Sequence, residues 1–224
     1  MDIKKIANEF FKFVKNDYII SIASFEDNDK FITELVNMIS KYNLNVSFIP
    51  VNASQAAHFL NLNQKTISLS DREIDLAIMY IDEIDQYNNF IKRKTTSFIR
   101  DKMIAQSALN LVVVVNKDNV VNELSNDVCV EISTFAWQRT IINLQSYGVA
   151  RIVLDTYGNY IKTETGHYLA RITLDKNITL DDFEYSVRNI PGVLETGVFI
   201  GLADTIFMVD YQKNSIFIKG VSEK

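Results

Sequence analysis

The sequence predicts an α/β fold: a parallel, doubly wound sheet followed by a smaller α+β lobe. Short apolar runs alternate with helical periodicity through about residue 125. Residues 111–115 are wholly aliphatic, as strands covered on both faces of a parallel sheet are. Beyond about Ser125 the pattern turns to alternating strands punctuated by glycine. All seven glycines lie between Gly148 and Gly220, and the first 147 residues have none.

The elements follow in order. Residues 1–15 place Ile3, Ile6, Phe10 and Phe13 at helical spacing. Residues 18–23 are a short β-rich run. A helix is expected from Asp27 to about Lys41, with Phe31, Leu35, Val36 and Ile39 inward. Glu26 and Asp27 suit its start, where an anionic cap contributes about 0.3–1 kcal/mol per group. Residues 46–49 read as a strand ended by Pro50, 53–60 as a helix, and 74–80 as an apolar strand. Residues 97–108 are helical and 111–115 are the buried strand.

In the second half, residues 128–132 are a strand and 135–147 a helix, with Gly148 placed to stop it. Residues 149–155 and 168–174 alternate as strands. A helix over 180–189 opens with Asp181 and Asp182, which complement its dipole. Residues 193–199, 205–210 and 215–219 close the chain as strands. A β-α-β-β-α-β lobe of ferredoxin-like type fits this order. The expected division is a sheet domain over 1–125 plus about 200–224, and a lobe over about 126–200.

Composition narrows the function. With 224 residues, 47% hydrophobic and 11% aromatic, the chain can bury a full core. A net charge of −5 argues against a nucleic-acid partner. The single cysteine, Cys129, sits in an apolar run and reads as a buried structural thiol. No signal-peptide core opens the chain, and no apolar run spans a bilayer. A cytoplasmic protein without a membrane partner is expected. No Walker sequence, zinc spacing or nucleophile elbow occurs. His58 and His167 read as surface or hydrogen-bonded core residues, and Trp137 as core or subunit interface. Lys92, Arg93, Lys94, Arg100 and Lys102 form the one local basic concentration, either a solvated face or an anion site.

A set of ordered motifs carries a resemblance. Residues 78–84 (Ile-Met-Tyr-Ile-Asp-Glu-Ile), Ile91-Lys92 and Ile99-Arg100-Asp101-Lys102 have the spacing of D-G-A-D-E, K-G-G-G and R-E-K segments. Val130-Glu131-Ile132, residues 163–168 and Ile190-Pro191-Gly192-Val193-Leu194-Glu195-Thr196-Gly197-Val198-Phe199 follow as V-E-V, T-D-N-G-N and I-P-G-V-x-E-x-G-x-F stretches. Essentially the whole chain thereby resembles ribose-5-phosphate isomerase type A. The resemblance implies a Rossmann-like domain with an α+β lobe, a homodimer or homotetramer, and no metal or organic cofactor. It implies an aldose–ketose isomerase of the pentose phosphate pathway, passing through a cis-enediolate between ribose 5-phosphate and ribulose 5-phosphate.

Carried over by position, Asp101 is the base, Asp82 a ring-opening or polar partner, and Lys92 the stabiliser of the enediolate. Ser24, Lys94, Lys4 and Lys117 fall where the family approaches the sugar phosphate. Several positions differ. Asp101 is one methylene shorter than glutamate, and a misplacement of about 1 Å costs on the order of a hundredfold in rate. Met79 replaces an aspartate. Arg93, Lys94 and Thr95 replace three glycines. Residues 23–27, with Glu26 and Asp27, replace a G-T-G-S-T phosphate loop. Like charges about 4 Å apart repel by about 4 kcal/mol at an effective dielectric near 20. Two alternatives therefore stand: an inactive paralogue acting as a binding, regulatory or partner subunit, or an isomerase or lyase for a non-phosphorylated or cationic ligand.

Overall fold

The computed structural model describes residues 3–23, 27–70 and 72–220. In chain order the elements begin α1 (Ile3–Phe11), β1 (Ile19–Ile22), α2 (Asn28–Lys41), β2 (Ser47–Ile49), α3 (Ala53–Asn61) and β3 (Leu76–Tyr80). Next come β4 (Glu83–Ile84), β5 (Phe90–Ile91), α4 (Phe98–Ser107), β6 (Leu111–Asn116) and a 3-10 turn at Lys117–Asn119. Then follow β7 (Asp127–Ile132), α5 (Trp137–Leu144), β8 (Gly148–Ile152), β9 (Tyr168–Leu174) and α6 (Leu180–Val187). The last are β10 (Val193–Thr196), β11 (Val198–Phe199), β12 (Thr205–Asp210) and β13 (Ser215–Gly220). Two compact units result. One comprises Met1–Tyr80, Met103–Val120 and Leu202–Lys224, the other Ile81–Lys102 and Val121–Gly201.

The first unit is built on a six-stranded sheet in the order β13-β12-β6-β3-β1-β2. Every neighbouring pair is parallel except the closing β12–β13 hairpin. All four residues of β1 are buried, as are Leu111 to Val115 of β6, which explains the unbroken apolar run of β6. Ser21, the polar exception in β1, donates its hydroxyl to the Ile49 carbonyl at 3.0 Å. Ile6 and Phe10 of α1 and Phe31, Leu35 and Ile39 of α2 join Ile20, Ile22 and Phe207 in one core. Each such fully buried side chain stabilises the fold by about 1.5–3 kcal/mol.

The start of α2 departs from expectation. Asp27 occupies the N-cap position but is left-handed, with φ 63°, and makes no side-chain cap bond. A capping carboxylate reaches the first free amides from extended backbone. From its left-handed turn Asp27 instead meets Lys30 Nζ at 3.0 Å. Ser24, Phe25 and Glu26, and with them the Glu26 half of the expected cap, lie outside the described residues.

The second unit carries a four-stranded antiparallel sheet in the order β10-β7-β9-β8. The chain visits it as β7-α5-β8-β9-α6-β10, the ferredoxin-like order that the alternating strands predicted. Val128, Val130, Ile141, Leu144, Ile172, Phe183 and Val187 form its core. Cys129 is buried as expected, and desolvation pushes its thiol up to about 11. Trp137 is neither deep core nor isolated; it lies 5.1 Å from the Tyr160 ring and 6.3 Å from Tyr168.

Gly148 has a different role from the one its position after a helix suggested. Helix α5 ends at Leu144, capped at Gln145, and Gly148 opens β8. Its φ is +149°, and a Cβ there would lie 2.1 Å from the Thr173 carbonyl oxygen. Close pairing of β8 with β9 therefore demands glycine. The expected strand over 193–199 is divided into β10 and β11 at Gly197, with a register shift between Val193 and Glu195. Strand β11 pairs with β5, and β5 with β4, in a small antiparallel sheet. Strands of two residues have no periodicity for a sequence to display.

Candidate active site

The small sheet positions Lys92. Its amide, one residue beyond β5, donates to the Gly197 carbonyl at 2.8 Å. A Cβ on Gly197 would come 2.0 Å from the Lys92 carbonyl oxygen, so the two backbones approach this closely only because residue 197 is glycine. The Lys92 ammonium then meets Asp101 Oδ2 at 2.6 Å, and both side chains are 3% exposed. Thr95 Oγ1 donates to the same carboxylate oxygen at 2.5 Å. That hydroxyl also accepts from the Ser97 amide at 2.9 Å. Asp101 sits in the first turn of α4. Removing one member of so buried a pair costs about 3–5 kcal/mol, because the other charge is left without its partner.

Asp82 stands on the same scaffold. Its amide donates to the Ile91 carbonyl at 2.9 Å, and its Oδ2 accepts from the Arg93 amide at 2.6 Å. It thus pins the backbone on either side of Lys92. The Arg93 side chain donates to Glu83 at 2.5 Å, to Ser125 Oγ at 2.6 Å and to the Asp127 carbonyl at 2.8 Å. The side chains of Arg93 and Thr95 are thereby tied into the lobe or onto Asp101. Asp127 in turn holds Arg171, whose hydrogen bond and charge outweigh burial and keep the Asp127 carboxyl below the usual range.

Four of the five members of the basic concentration are paired within the fold. Lys92 and Arg93 are engaged as described. Arg100 pairs with Glu164 at 2.9 Å. Lys102 is buried, 2.8 Å from Glu184 and 4.5 Å from the centre of the Phe199 ring. Lys94 alone of the five is exposed. Met79 is buried on β3 opposite Val113, as an ordinary core side chain.

Lys4 and Lys117 belong to the first unit, and each has a carboxylate of its own. Lys4 meets Glu34 at 3.1 Å and Lys117 meets Asp210 at 3.4 Å. Ser24 falls outside the described residues. A cavity of about 550 Å³ in this unit is lined by Ile3, Lys4, Asp27, Asp29, Lys30, Thr33 and Glu34, so acids outnumber bases there. His58 bonds Thr33 Oγ1 at 3.1 Å, in keeping with a hydrogen-bonded role. Among the described residues no group of three or more His, Cys, Asp or Glu is arranged to hold a metal, and no helix is long and apolar enough to cross a membrane.

Sequence reasoning missed one buried cluster. Glu131 of β7 is fully buried. Its Oε1 accepts from Thr165 Oγ1 at 2.6 Å, Thr163 Oγ1 at 2.9 Å and His167 Nδ1 at 2.9 Å. Its Oε2 accepts from Ser97 Oγ at 3.2 Å and the Ile99 amide at 3.3 Å. Burial pushes the carboxyl up, but the bonds from Thr165, His167, Thr163 and Ile99 outweigh it and hold the group below the usual glutamate range. The signal was a charged residue inside the apolar run of residues 128–132. Thr95 gave no such signal, since a loop threonine is unremarkable until its hydroxyl is seen on Asp101.

Residues 47–213 match ribose 5-phosphate isomerase A (phosphoriboisomerase A). Ribose-5-phosphate isomerase A 1 of Oceanobacillus iheyensis is 28% identical over 96% of this chain and 96% of its own. Ribose-5-phosphate isomerase A of Prochlorococcus marinus (strain NATL1A) is 31% identical over 73% of this chain and 71% of its own. Among solved structures, ribose 5-phosphate isomerase from Plasmodium falciparum superposes with a TM-score of 0.87 at 20% identity, covering 99% of each chain. That of ribose 5-phosphate isomerase A from Methanocaldococcus jannaschii gives 0.85 at 23%, covering 98% of each. These two share the fold described above.

Proposed function

Because the chain belongs to the ribose 5-phosphate isomerase A family, we propose that it interconverts ribose 5-phosphate and ribulose 5-phosphate. The buried Lys92–Asp101 pair is the single observation that carries this reading. Asp101 supplies a carboxylate fixed by two donors, and Lys92 a positive charge within hydrogen-bond reach of it.

The chemistry follows from those groups. The Asp101 carboxylate takes the proton from C2 of the open-chain aldose. The electron pair left behind forms the C1–C2 double bond of an enediolate, and the negative charge moves to the C1 oxygen. Lys92 stabilises that charge, and it does so most in a site closed to water. A proton passes from the C2 hydroxyl to the C1 oxygen, and Asp101 returns its own proton to C1, giving the ketose. Asp82 serves ring opening and holds the Lys92 loop. Each step is a proton transfer, so the reading calls on no cofactor.

Ser24, Lys94, Lys4 and Lys117 are the residues assigned to the sugar phosphate. Lys4 and Lys117 are about half exposed, so their ion pairs are worth about 0–1 kcal/mol each and yield readily to a dianion. Family membership also supports a cytoplasmic homodimer or homotetramer.

A coupled assay with ribose 5-phosphate tests the proposal. Turnover is expected in the wild-type chain. Asp101→Ala, or Asp101→Asn if the alanine variant unfolds, should lower kcat by on the order of 10²–10⁴. Absence of wild-type turnover at millimolar substrate sinks the reading.

A further inference from the structure

We infer that Glu131 is a positioning residue for Asp101: its buried carboxylate, clasped by Thr163, Thr165 and His167, fixes the first turn of α4. The inference rests on the reading of Asp101 as the base and extends it to residues that touch no substrate.

Helix α4 begins at Phe98, which makes Ser97 its N-cap. Ser97 Oγ accepts from the Arg100 amide at 3.4 Å, and the Ser97 carbonyl accepts from the Asp101 amide at 3.0 Å. One more early amide, that of Ile99, needs an acceptor. Glu131 provides it across the fold, at 3.3 Å, and also receives the Ser97 hydroxyl at 3.2 Å. The carboxylate thus caps from outside a helix whose own cap it also orients. A negative charge there is favoured by the helix dipole.

The clasp on the other side is as complete. Thr163 and Thr165 donate to Glu131 Oε1, and their hydroxyls lie 2.8 Å apart. An ionised carboxylate only accepts, so His167 Nδ1 carries the hydrogen of their shared bond. The same turn holds the approach to α4 through the Glu164 amide on the Thr96 carbonyl at 2.9 Å, and α4 itself through Arg100 on Glu164. Only Arg100 lies between Ile99 and Asp101, so a tilt of this turn moves the Asp101 carboxylate relative to Lys92 and the reacting carbons. A displacement of about 1 Å costs on the order of a hundredfold in rate.

Glu131→Gln puts an amide N–H where donors already converge. It should lower kcat by on the order of tenfold to a hundredfold with KM nearly constant, because the substrate's binding groups are untouched. Amide hydrogen exchange at Ile99, Arg100 and Asp101 should speed up while that of the β7–β9 pairing stays slow. His167→Ala should show the same pattern more weakly. His167→Asn should recover most of kcat, because asparagine Nδ2 stands at the same place along its side chain as histidine Nδ1. If Glu131→Gln does not fold, the two His167 variants carry the test.

An unchanged kcat in folded variants, a rise in KM alone, or exchange at residues 99–101 no faster than wild type would overturn the assignment. Equal loss in His167→Asn and His167→Ala would do so as well. A wild-type chain without turnover would refute the isomerase reading, and the exchange arm would then decide alone whether Glu131 holds the turn.

Discussion

Lys92 meets Asp101 at 2.6 Å and Lys30 meets Asp27 at 3.0 Å, yet the two pairs differ in kind. The side chains of the first are 3% exposed; those of the second are 71% and 51% exposed. Around Lys92 the side chains are tied into the fold, with Arg93 bonded to Glu83 and Ser125 and Thr95 bonded to Asp101. At the start of α2 the charge stays at the surface, on a left-handed residue that does not cap its helix. A charge in a buried cluster has to be compensated side chain by side chain. At an exposed terminus solvent does the compensating, and little stability depends on the outcome.

The difference can be pressed hardest at Lys92. Lys92→Met leaves the Asp101 charge buried with only the Thr95 hydroxyl and should lower stability by about 3–5 kcal/mol, read by urea unfolding. A loss below about 1 kcal/mol would mean that this pair behaves like a surface one. Gly197→Ala acts on the same lysine through the backbone. Its Cβ meets the Lys92 carbonyl oxygen and the Phe98 ring, so a cost of about 1–3 kcal/mol and reduced turnover are expected. Wild-type stability in that variant would show that the approach of the two backbones is not needed.

Acid sharpens the contrast next. Glu131 and Asp127 both titrate below the usual range in the folded chain. As pH falls, the unfolded chain therefore takes up protons first. The stabilisation is fully present above the ordinary carboxyl range, about pH 4, and is lost as pH drops through the folded values. Thermal midpoints should fall in that window, and Asp127→Asn should flatten the fall. Parallel curves for variant and wild type would refute this. The smallest effect belongs to the exposed pair: Lys30→Ala should shift stability by no more than about 1 kcal/mol, and a larger shift would erase the distinction.

Much of the fold was legible because its signals are periodic. The aliphatic strands β1 and β6 and the inward faces of α1 and α2 follow directly from residue spacing. The ferredoxin-like order was readable from alternation in the same way. What escaped was set by tertiary contact. Asp27 was expected to cap α2, but capping depends on backbone angles that side-chain type does not fix. Gly148 was expected to stop a helix, whereas its need for glycine comes from β9. The candidate site divided along the same line. Asp101, Lys92 and Asp82 were singled out through their motifs, and the first two share a buried ion pair. The roles of Thr95, Glu131 and His167 depend on partners that sequence spacing does not reveal, up to 36 residues away.

Isomerisation in D2O tests the role of Asp101 most directly. An enediolate formed and collapsed by a carboxylate that exchanges with solvent places deuterium on C1 of ribulose 5-phosphate, visible by proton NMR. The wild-type chain should incorporate it, and folded Asp101→Asn should incorporate essentially none over the same period. Wild-type-like incorporation by Asp101→Asn would contradict the assignment of the base.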